Sequence, residues 1–292
     1  MPPRVRTTLA VAGSDCMSDL RLVHHLIDDP RTDPDLQTVH AWLISHPLKQ
    51  LFTDAVSDAI EYVLDGGRTW RFDLTSPDVD SDERRTVGTK LQYRVIAALD
   101  LVKEPPLDTT ILGIAVELKG TIRSSWMIPR EGQCEICILI QVDATNDRHR
   151  AYLMRTHRQW LNRGNQDKKR SIQKEALDTF ALPLIDWTPL PQNPLKLLTY
   201  EQRQVVFALH DGQAKRLTAL FGYMPGVVIP RTSILTVCAN RKDPMRRARQ
   251  IKDQVFTVHG LHLLCGQWNA DRDQAQHHGF DISGAAWVAY RP

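Results

Sequence analysis

The stretch Leu107-Asp-Thr-Thr-Ile-Leu-Gly-Ile-Ala-Val-Glu-Leu-Lys119 decides how the rest of the sequence is interpreted. Residues 111–118 are apolar except for Glu117, and this pattern predicts a buried strand. Because side chains alternate along a strand, Glu117 and Lys119 should lie on the same face. The sequence therefore predicts a carboxylate and an ammonium side by side at the end of a buried strand.

Asp108 supplies a second carboxylate to this strand. It lies nine positions before Glu117 and returns to the same place if residues 108–113 form a bend or a neighbouring strand. Burying a carboxylate or an ammonium costs free energy, so the strand end either carries an ion pair or opens onto a functional site. A strand that simply ends in surface charges is the alternative interpretation.

Length and composition are those of a globular protein. The chain has 292 residues, 42% of them hydrophobic and 24% charged, which fits one large domain or two ordinary ones. No apolar run reaches membrane-spanning length, so we expect a soluble, cytoplasmic protein. The CxxC of Cys134 and Cys137 has no second cysteine pair or histidine pair to complete a zinc site, and buried structural thiols are predicted there.

The two parts of the chain differ in charge. Residues 1–119 carry 13 Lys and Arg against 19 Asp and Glu, whereas residues 120–292 carry 24 against 15. A basic part beside an acidic one fits a polyanion-binding face joined to a metal-binding face, although ordinary solvated surfaces also have this pattern.

The order of helical and apolar segments predicts an α/β fold with a second domain. Further strands are expected at residues 134–142 and 151–154, between helical segments. We assign residues 1–184 to a first domain with an N-terminal helical region at 18–65. Prolines and few charges make residues 185–199 a linker, and residues 200–292 form the second domain.

Two basic segments are candidates for binding a polyanion. Residues 148–170 hold eight Lys and Arg and one acid, and the loop near their end is either a phosphate-contacting loop or an exposed turn. In the second domain a helix should begin at Asp243-Pro244 and a strand should cover 255–265. Short helices, a basic helix and a strand are typical of a winged helix-turn-helix, though such helical pieces are common. The candidate contacts are Lys168, Lys169, Arg170, Arg231, Lys242, Arg246, Arg247 and Arg249.

The Asp…Glu-x-Lys pattern is that of the PD-(D/E)xK nuclease superfamily. Together with Trp126-Met-Ile-Pro129, the apolar segment 133–140, Gly88-Thr89 and the ending Trp287-Val-Ala-x-Arg-Pro, it resembles the NaeI family of restriction endonucleases over roughly residues 85–292. The resemblance implies a restriction-endonuclease-like, MutH-like nuclease core. A C-terminal DNA-binding domain with a helix-turn-helix is expected to follow.

The resemblance also assigns roles to site residues. Asp108 and Glu117 match the metal-binding acids, and Lys119 matches the catalytic lysine. Gln92 stands where the family pattern has a glutamate, and a neutral amide coordinates Mg²⁺ less strongly. A backbone carbonyl, that of Leu118, would complete the ligand set, and Mn²⁺ is expected to substitute for Mg²⁺.

These features predict a Mg²⁺-dependent DNA endonuclease with a restriction or phage-defence role. Double-strand cleavage usually needs two active sites, so a homodimer acting on double-stranded DNA is expected. Two alternatives stay open: a nickase of repair or defence that senses modified DNA, and a catalytically weak DNA-binding protein for which Gln92 would be the signature.

Overall fold

A five-stranded mixed sheet carries the stretch that contains Asp108, Glu117 and Lys119. The computed structural model describes residues 26–284 and 286–292. The strands up to residue 190 are β1 (Thr109–Ile111), β2 (Ile114–Thr121), β3 (Met127–Ile128), β4 (Ile136–Asp143), β5 (Arg148–Arg155), β6 (Arg170–Ser171) and β7 (Leu182–Pro189). The sheet order is β1-β2-β4-β5-β7; β2 and β4 are parallel, and the other neighbours are antiparallel.

Helices accompany this sheet, which confirms the predicted α/β class. They are α1 (Pro34–Ile44), α2 (Leu48–Leu64), α4 (Ser81–Ala98) and α5 (Lys174–Phe180), with 3-10 helices at Pro30–Thr32 and Arg158–Trp160; α3 (Gly66–Thr69) belongs to the second compact unit. Of the predicted helical region 18–65, residues 18–25 lie outside the described residues. The rest begins with the 3-10 helix and continues as α1 and α2, which are separated at Ser45–Pro47.

The chain folds into two compact units. The first contains Asp82–Leu190 and the described part of residues 1–59, and the second contains Ile60–Ser81 and the described residues from Pro191 onward. The stretch 185–199, predicted as a linker, includes the second half of β7 and a 3-10 helix at Pro194–Leu197.

A tight hairpin joins β1 to β2. Ile111 pairs with Ile114, so Leu112 and Gly113 form a two-residue turn, with φ of 51° and 82°. Two consecutive positive φ angles are those of a type I′ turn, which suits the twist of antiparallel strands and favours glycine at its second position. The prediction of one continuous strand over 111–118 is therefore wrong, because an apolar but exposed Leu112 hides the turn.

The helix α4 packs closely on β2. It begins at Ser81, and Asp82 and Glu83 in its first turn suit the positive end of the helix dipole. Gly88 lies against Gly120 of β2, where a Cβ on Gly88 would come within 2.5 Å of the Gly120 carbonyl oxygen. Only two glycines allow this approach, which sets the distance between α4 and β2.

The second unit combines helices with a small antiparallel sheet of order β8-β10-β9. From Tyr200 onward its elements are α6 (Tyr200–Val206), α7 (Gln213–Tyr223), β8 (Val228–Ile229), α8 (Arg231–Val237), α9 (Pro244–Gln250), α10 (Lys252–His259), β9 (His262–Cys265), α11 (Asn269–His277) and β10 (Trp287–Tyr290). Leu217, Phe221, Ile234 and Trp287 lie in one buried apolar cluster, so the unit has a core of its own.

The strand predicted over residues 255–265 is only partly present. Residues 252–259 form α10, and β9 begins at His262. Ala248, Ile251 and Val255 are buried at helical spacing, whereas Phe256 and Val258 are exposed. Gly260, with φ of 65°, ends the helix in the left-handed conformation that glycine favours.

The two cysteines of the CxxC motif, Cys134 and Cys137, differ in oxidation state. Cys137, like Cys238 and Cys265 elsewhere, is a buried free thiol, and burial raises the pKa of Cys137 to about 12. The predicted structural thiol is confirmed at Cys137, and its protonated sulfur is not a nucleophile. Cys134 is disulfide-bonded, so the prediction of a thiol is wrong there.

Among the described residues, no helix combines the length and the apolarity that crossing a membrane requires.

Candidate active site

The β1–β2 hairpin brings Asp108 to the end of the strand that carries Glu117. Thr109 pairs with Val116, and the Asp108 carboxylate accepts a hydrogen bond from the Leu118 N–H at 3.0 Å through Oδ2. The side chain is almost completely buried. The predicted return of Asp108 to this strand end is therefore what the hairpin produces.

Glu117 and Lys119 lie on the same face of β2 and form an ion pair. Lys119 Nζ is 2.5 Å from Glu117 Oε1, and the Glu117 residue is only 3% exposed. Burial raises the pKa of the Glu117 carboxyl, and the nearby Asp108 and Glu131 carboxylates add to the rise, while the Lys119 ammonium opposes it. The site thus concentrates negative charge beyond what one lysine offsets.

Asp108 has a cationic neighbour of its own. Lys103 Nζ is 3.6 Å from Asp108 Oδ1, the oxygen that does not accept the Leu118 N–H. Lys103 was not expected from the sequence, because it precedes the strand and belongs to no periodic pattern. Each of the two carboxylates therefore has one lysine that offsets part of its charge.

Gln92 faces the same strand from the helix side. It lies one turn after Gly88 on α4, and its side-chain amide donates a hydrogen bond to the Leu118 carbonyl through Nε2. The close Gly88–Gly120 contact brings the helix near enough for this bond. The structure thus groups Gln92, Asp108, Glu117 and Lys119 around one residue of β2, Leu118.

A short segment after β3 packs against Glu117. Gly132 lies so close that a Cβ there would be 3.1 Å from Glu117 Cγ. Trp126 anchors the start of the segment: its ring is buried, and Nε1 donates to the Ile140 carbonyl at 3.0 Å. Sequence analysis missed Gly132, because the need for glycine at this position arises from its contact with Glu117, fifteen residues earlier in the chain.

The oxygen ligands at the end of β2 suit a hard divalent cation. Two carboxylates and a backbone carbonyl within one strand end are all oxygen ligands, which Mg²⁺, Mn²⁺ and Ca²⁺ prefer. Two buried like charges also favour a cation between them. Within the described residues, no group of three or more His, Cys, Asp or Glu side chains is arranged to hold a metal. A zinc-type site is therefore not found there, and any cation here would rely on two acids rather than three.

Comparison with known proteins identifies the family of the chain. The family model described as restriction endonuclease NaeI matches residues 37–285. The chain belongs to the NaeI restriction endonuclease family. It is 28% identical over 227 residues to the type II restriction enzyme NaeI of Lentzea aerocolonigenes, an alignment that covers 74% of this chain and 70% of that enzyme.

Membership in the NaeI family makes the chain a restriction-type endonuclease, an enzyme that cleaves DNA. The match begins at residue 37, well before residue 85, where the resemblance in the sequence becomes apparent. It therefore includes α2 and most of α1 as well as the grouped site residues and α9.

The basic loop of this NaeI-family chain is an ordered hairpin. Asn162 N–H donates to the Ser171 carbonyl at 2.8 Å, and Asn165 N–H donates to the Lys169 carbonyl at 3.0 Å. Strand β6 at its end pairs with β3, the strand that carries Met127. Lys168 and Arg170 line a cleft in the surface, and Lys169 is not among the lining residues.

The basic residues predicted in the second unit are solvent-accessible. Arg231 begins α8, and Lys242 precedes α9, where Arg246 and Arg247 are exposed and Arg249 is half-buried. Arg247 donates to Gln250, and Arg249 donates to Gln267 at 2.8 Å. In the described part of the chain, none of these five cations forms an ion pair, so their charges remain available to a polyanion.

Proposed function

We propose that the chain is a Mg²⁺-dependent endonuclease that hydrolyses phosphodiester bonds of double-stranded DNA, with a role in restriction or phage defence. Mn²⁺ is expected to support the reaction as well. The observation that carries the proposal is the meeting of two buried carboxylates, Asp108 and Glu117, with Lys119 at the end of β2.

The residues grouped at the end of β2 have different roles in the proposed reaction. Asp108, Glu117 and the Leu118 carbonyl would hold the cation, which supplies charge neutralisation and a more acidic bound water. Lys119 would orient the attacking water and offset the negative charge that develops on the phosphate in the transition state. Gln92 would position the Leu118 peptide through the hydrogen bond that it donates to that carbonyl.

DNA recognition is assigned to the second unit. Its order of helix, strand, two helical stretches and two strands, α7-β8-α8-α9/α10-β9-β10, with β10 between β8 and β9, supports a winged helix-turn-helix interrupted by α11. In this proposal α9 is the start of the recognition helix, and its arginines contact phosphates or base edges in the major groove. Arg231 and Lys242 would contact the backbone nearby.

A homodimer would supply the two active sites that cutting both strands requires. The two compact units would then divide the work, with cleavage in the sheet-bearing unit and recognition in the other.

Gln92 favours a second candidate, a nickase or a weakly cleaving DNA-binding protein. A neutral amide in place of a third acid leaves fewer charged ligands for a cation and no additional base. This candidate differs from the first in its product, which is nicked rather than linear DNA.

Cleavage of supercoiled plasmid with Mg²⁺, Mn²⁺ or a chelator tests both candidates, on modified and unmodified DNA. We expect linear product that requires the cation and falls by at least about 100-fold in Glu117→Ala and Lys119→Ala. Glu175→Gln, an exposed carboxylate on α5, is the matched control and should cleave normally. Equal cleavage by Glu117→Ala would refute the assignment.

The variant Gln92→Glu separates the two candidates in the same assay. If Gln92 limits the enzyme, the added carboxylate should lower the Mg²⁺ concentration needed and convert nicked into linear product. Gln92→Ala, which removes the hydrogen bond without adding charge, should not. Linear product from the unaltered enzyme, unchanged by Gln92→Glu, would exclude the nickase.

A further inference from the structure

A cationic cleft lies beside the candidate active site in the same unit. It has a volume of about 380 Å³ and is lined by five basic side chains, two amides and a glycine, with no Asp or Glu among its lining residues. The basic residues are Arg130, Arg158, Arg163, Lys168 and Arg170, and the amides are those of Gln133 and Asn165.

Hydrogen bonds and strand pairing hold the segments that line the cleft in place. Gln133, only 7% exposed, donates from Nε2 to the Lys168 carbonyl at 3.0 Å and accepts from Arg158 Nε at 2.9 Å. This one amide ties the basic hairpin to the segment after β3. Pairing of β3 with β6 holds the other end of the hairpin.

Convergence of like charges is unfavourable unless an anion is bound. Within the described residues, Arg163, Lys168 and Arg170 form no ion pair that would neutralise them. Arginine forks and lysine ammonium groups are the usual protein donors to phosphate oxygens. The chemistry of the cleft is therefore that of a phosphate-binding site.

The cleft is joined to the active site by one peptide. Gly132, which packs against Glu117, is followed directly by Gln133, whose side chain lines the cleft. A phosphodiester strand that presents one phosphate at Glu117 carries a further phosphate at every nucleotide, about 3.4 Å apart along the helix axis of a duplex. A rigid connection between the two places fixes which of these phosphates reaches the cations.

We infer that this cleft binds a backbone phosphate of the cleaved DNA strand, a few nucleotides from the scissile one, and so sets the register of the strand in the active site. The inference rests on the proposed function for the identity of its ligand. Phosphate contacts of this kind position a duplex without reading its sequence. The cleft would thus contribute affinity to any DNA and correct alignment at the cleavage site.

Binding of a labelled duplex at several salt concentrations, with Ca²⁺ in place of Mg²⁺, tests the cleft. The double variant Arg163→Gln, Lys168→Gln should lower the salt slope by about 0.9, the contribution of one phosphate, and each single variant should lower it by part of that amount. Lys174→Gln is the matched control, because it removes the same charge from an exposed lysine of the same unit, on α5 and outside the cleft. Thermal unfolding verifies that each variant is folded. An unchanged slope in the folded double variant, or an equal change in Lys174→Gln, would overturn the inference.

Neutral methylphosphonate linkages identify the phosphate. Placed singly on either side of the mapped cleavage position, one such linkage should weaken binding to the unaltered enzyme but not to the double variant. Inorganic phosphate distinguishes a site for free anions: if it competes as well as the duplex does, the cleft is not a DNA contact. Binding that depends on the cleft without any metal-dependent cleavage would refute the proposed function and leave this inference standing. Cleavage with an unchanged salt slope would do the reverse.

Discussion

Glu117 is a carboxylate that the fold buries at a cost to its own stability. The residue is 3% exposed and lies near Asp108 and Glu131, and burial raises its pKa above the ordinary value of 4.5. An active site commonly retains such a group because function requires its charge, although a neutral side chain would be more favourable. The position should therefore show a trade-off between stability and activity.

Replacing Glu117 by Gln should stabilise the metal-free protein at neutral pH by about 1 kcal/mol. Because the pKa of Glu117 is higher in the folded than in the unfolded chain, its ionisation destabilises the fold at pH values above the folded-state pKa. This penalty disappears as the pH falls through the folded-state pKa towards 4.5, where the unfolded chain is also protonated. The advantage of Glu117→Gln, measured by chemical denaturation, should shrink over the same range.

Two comparisons make this prediction specific. Glu175→Gln removes an exposed carboxylate and should change the free energy of unfolding by less than about 0.5 kcal/mol. Saturating Mg²⁺ should raise the melting temperature of the unaltered protein but not of Glu117→Gln. A variant less stable than the unaltered protein at neutral pH would mean that the Lys119 ion pair outweighs the burial of Glu117.

At the level of secondary-structure elements, the contact between α4 and β2 decides where Gln92 lies. A Cβ on Gly88 would be 2.5 Å from the Gly120 carbonyl oxygen, which is backbone and cannot rotate away. Gly88→Ala should therefore push the helix off the strand and cost about 2–3 kcal/mol of stability, in the upper part of the usual range for overpacking. Cleavage should fall as well, since Gln92 would lose the Leu118 carbonyl.

Gly67→Ala is the control for this helix prediction. Gly67 is also helical, but a Cβ there would meet only Leu235 at an ordinary 3.7 Å. Its replacement should be neutral or stabilising by up to about 1 kcal/mol in thermal unfolding. Equal losses in the two variants would show that the Gly88–Gly120 contact is not what limits the approach of the helix.

Features that depend on local sequence pattern could be predicted from the sequence, whereas features that depend on long-range packing could not. Alternation along β2 was enough to place Glu117 and Lys119 together, because their relation lies within one strand. The turn at Leu112 was hidden, since an exposed leucine resembles a buried one in sequence. Gly132 and Lys103 depend on contacts between segments, and no periodicity marks them. Residues 252–259 were misassigned because the alternation of Leu261, Leu263 and Cys265 was extended back to Val255.

For the whole molecule, the main question is whether DNA affinity and cleavage reside in different units. The grouped acids belong to the unit with the five-stranded sheet, and α9 belongs to the other. Neutralising Arg246, Arg247 and Arg249 together removes three cations from α9 without touching an ion pair among the described residues. The effect should therefore fall on binding rather than on chemistry.

The triple variant Arg246→Gln, Arg247→Gln, Arg249→Gln should bind DNA with a salt slope lower by about 2 to 3, since each lost phosphate contact removes about 0.9. Its cleavage should be slow at low enzyme concentration and recover at saturating enzyme, because the acids and Lys119 are unaltered. Glu117→Ala should show the opposite behaviour, with a normal salt slope and no cleavage. An unchanged affinity and slope in a folded triple variant would exclude α9 from the DNA interface and leave the cationic cleft of the first unit as the principal phosphate contact.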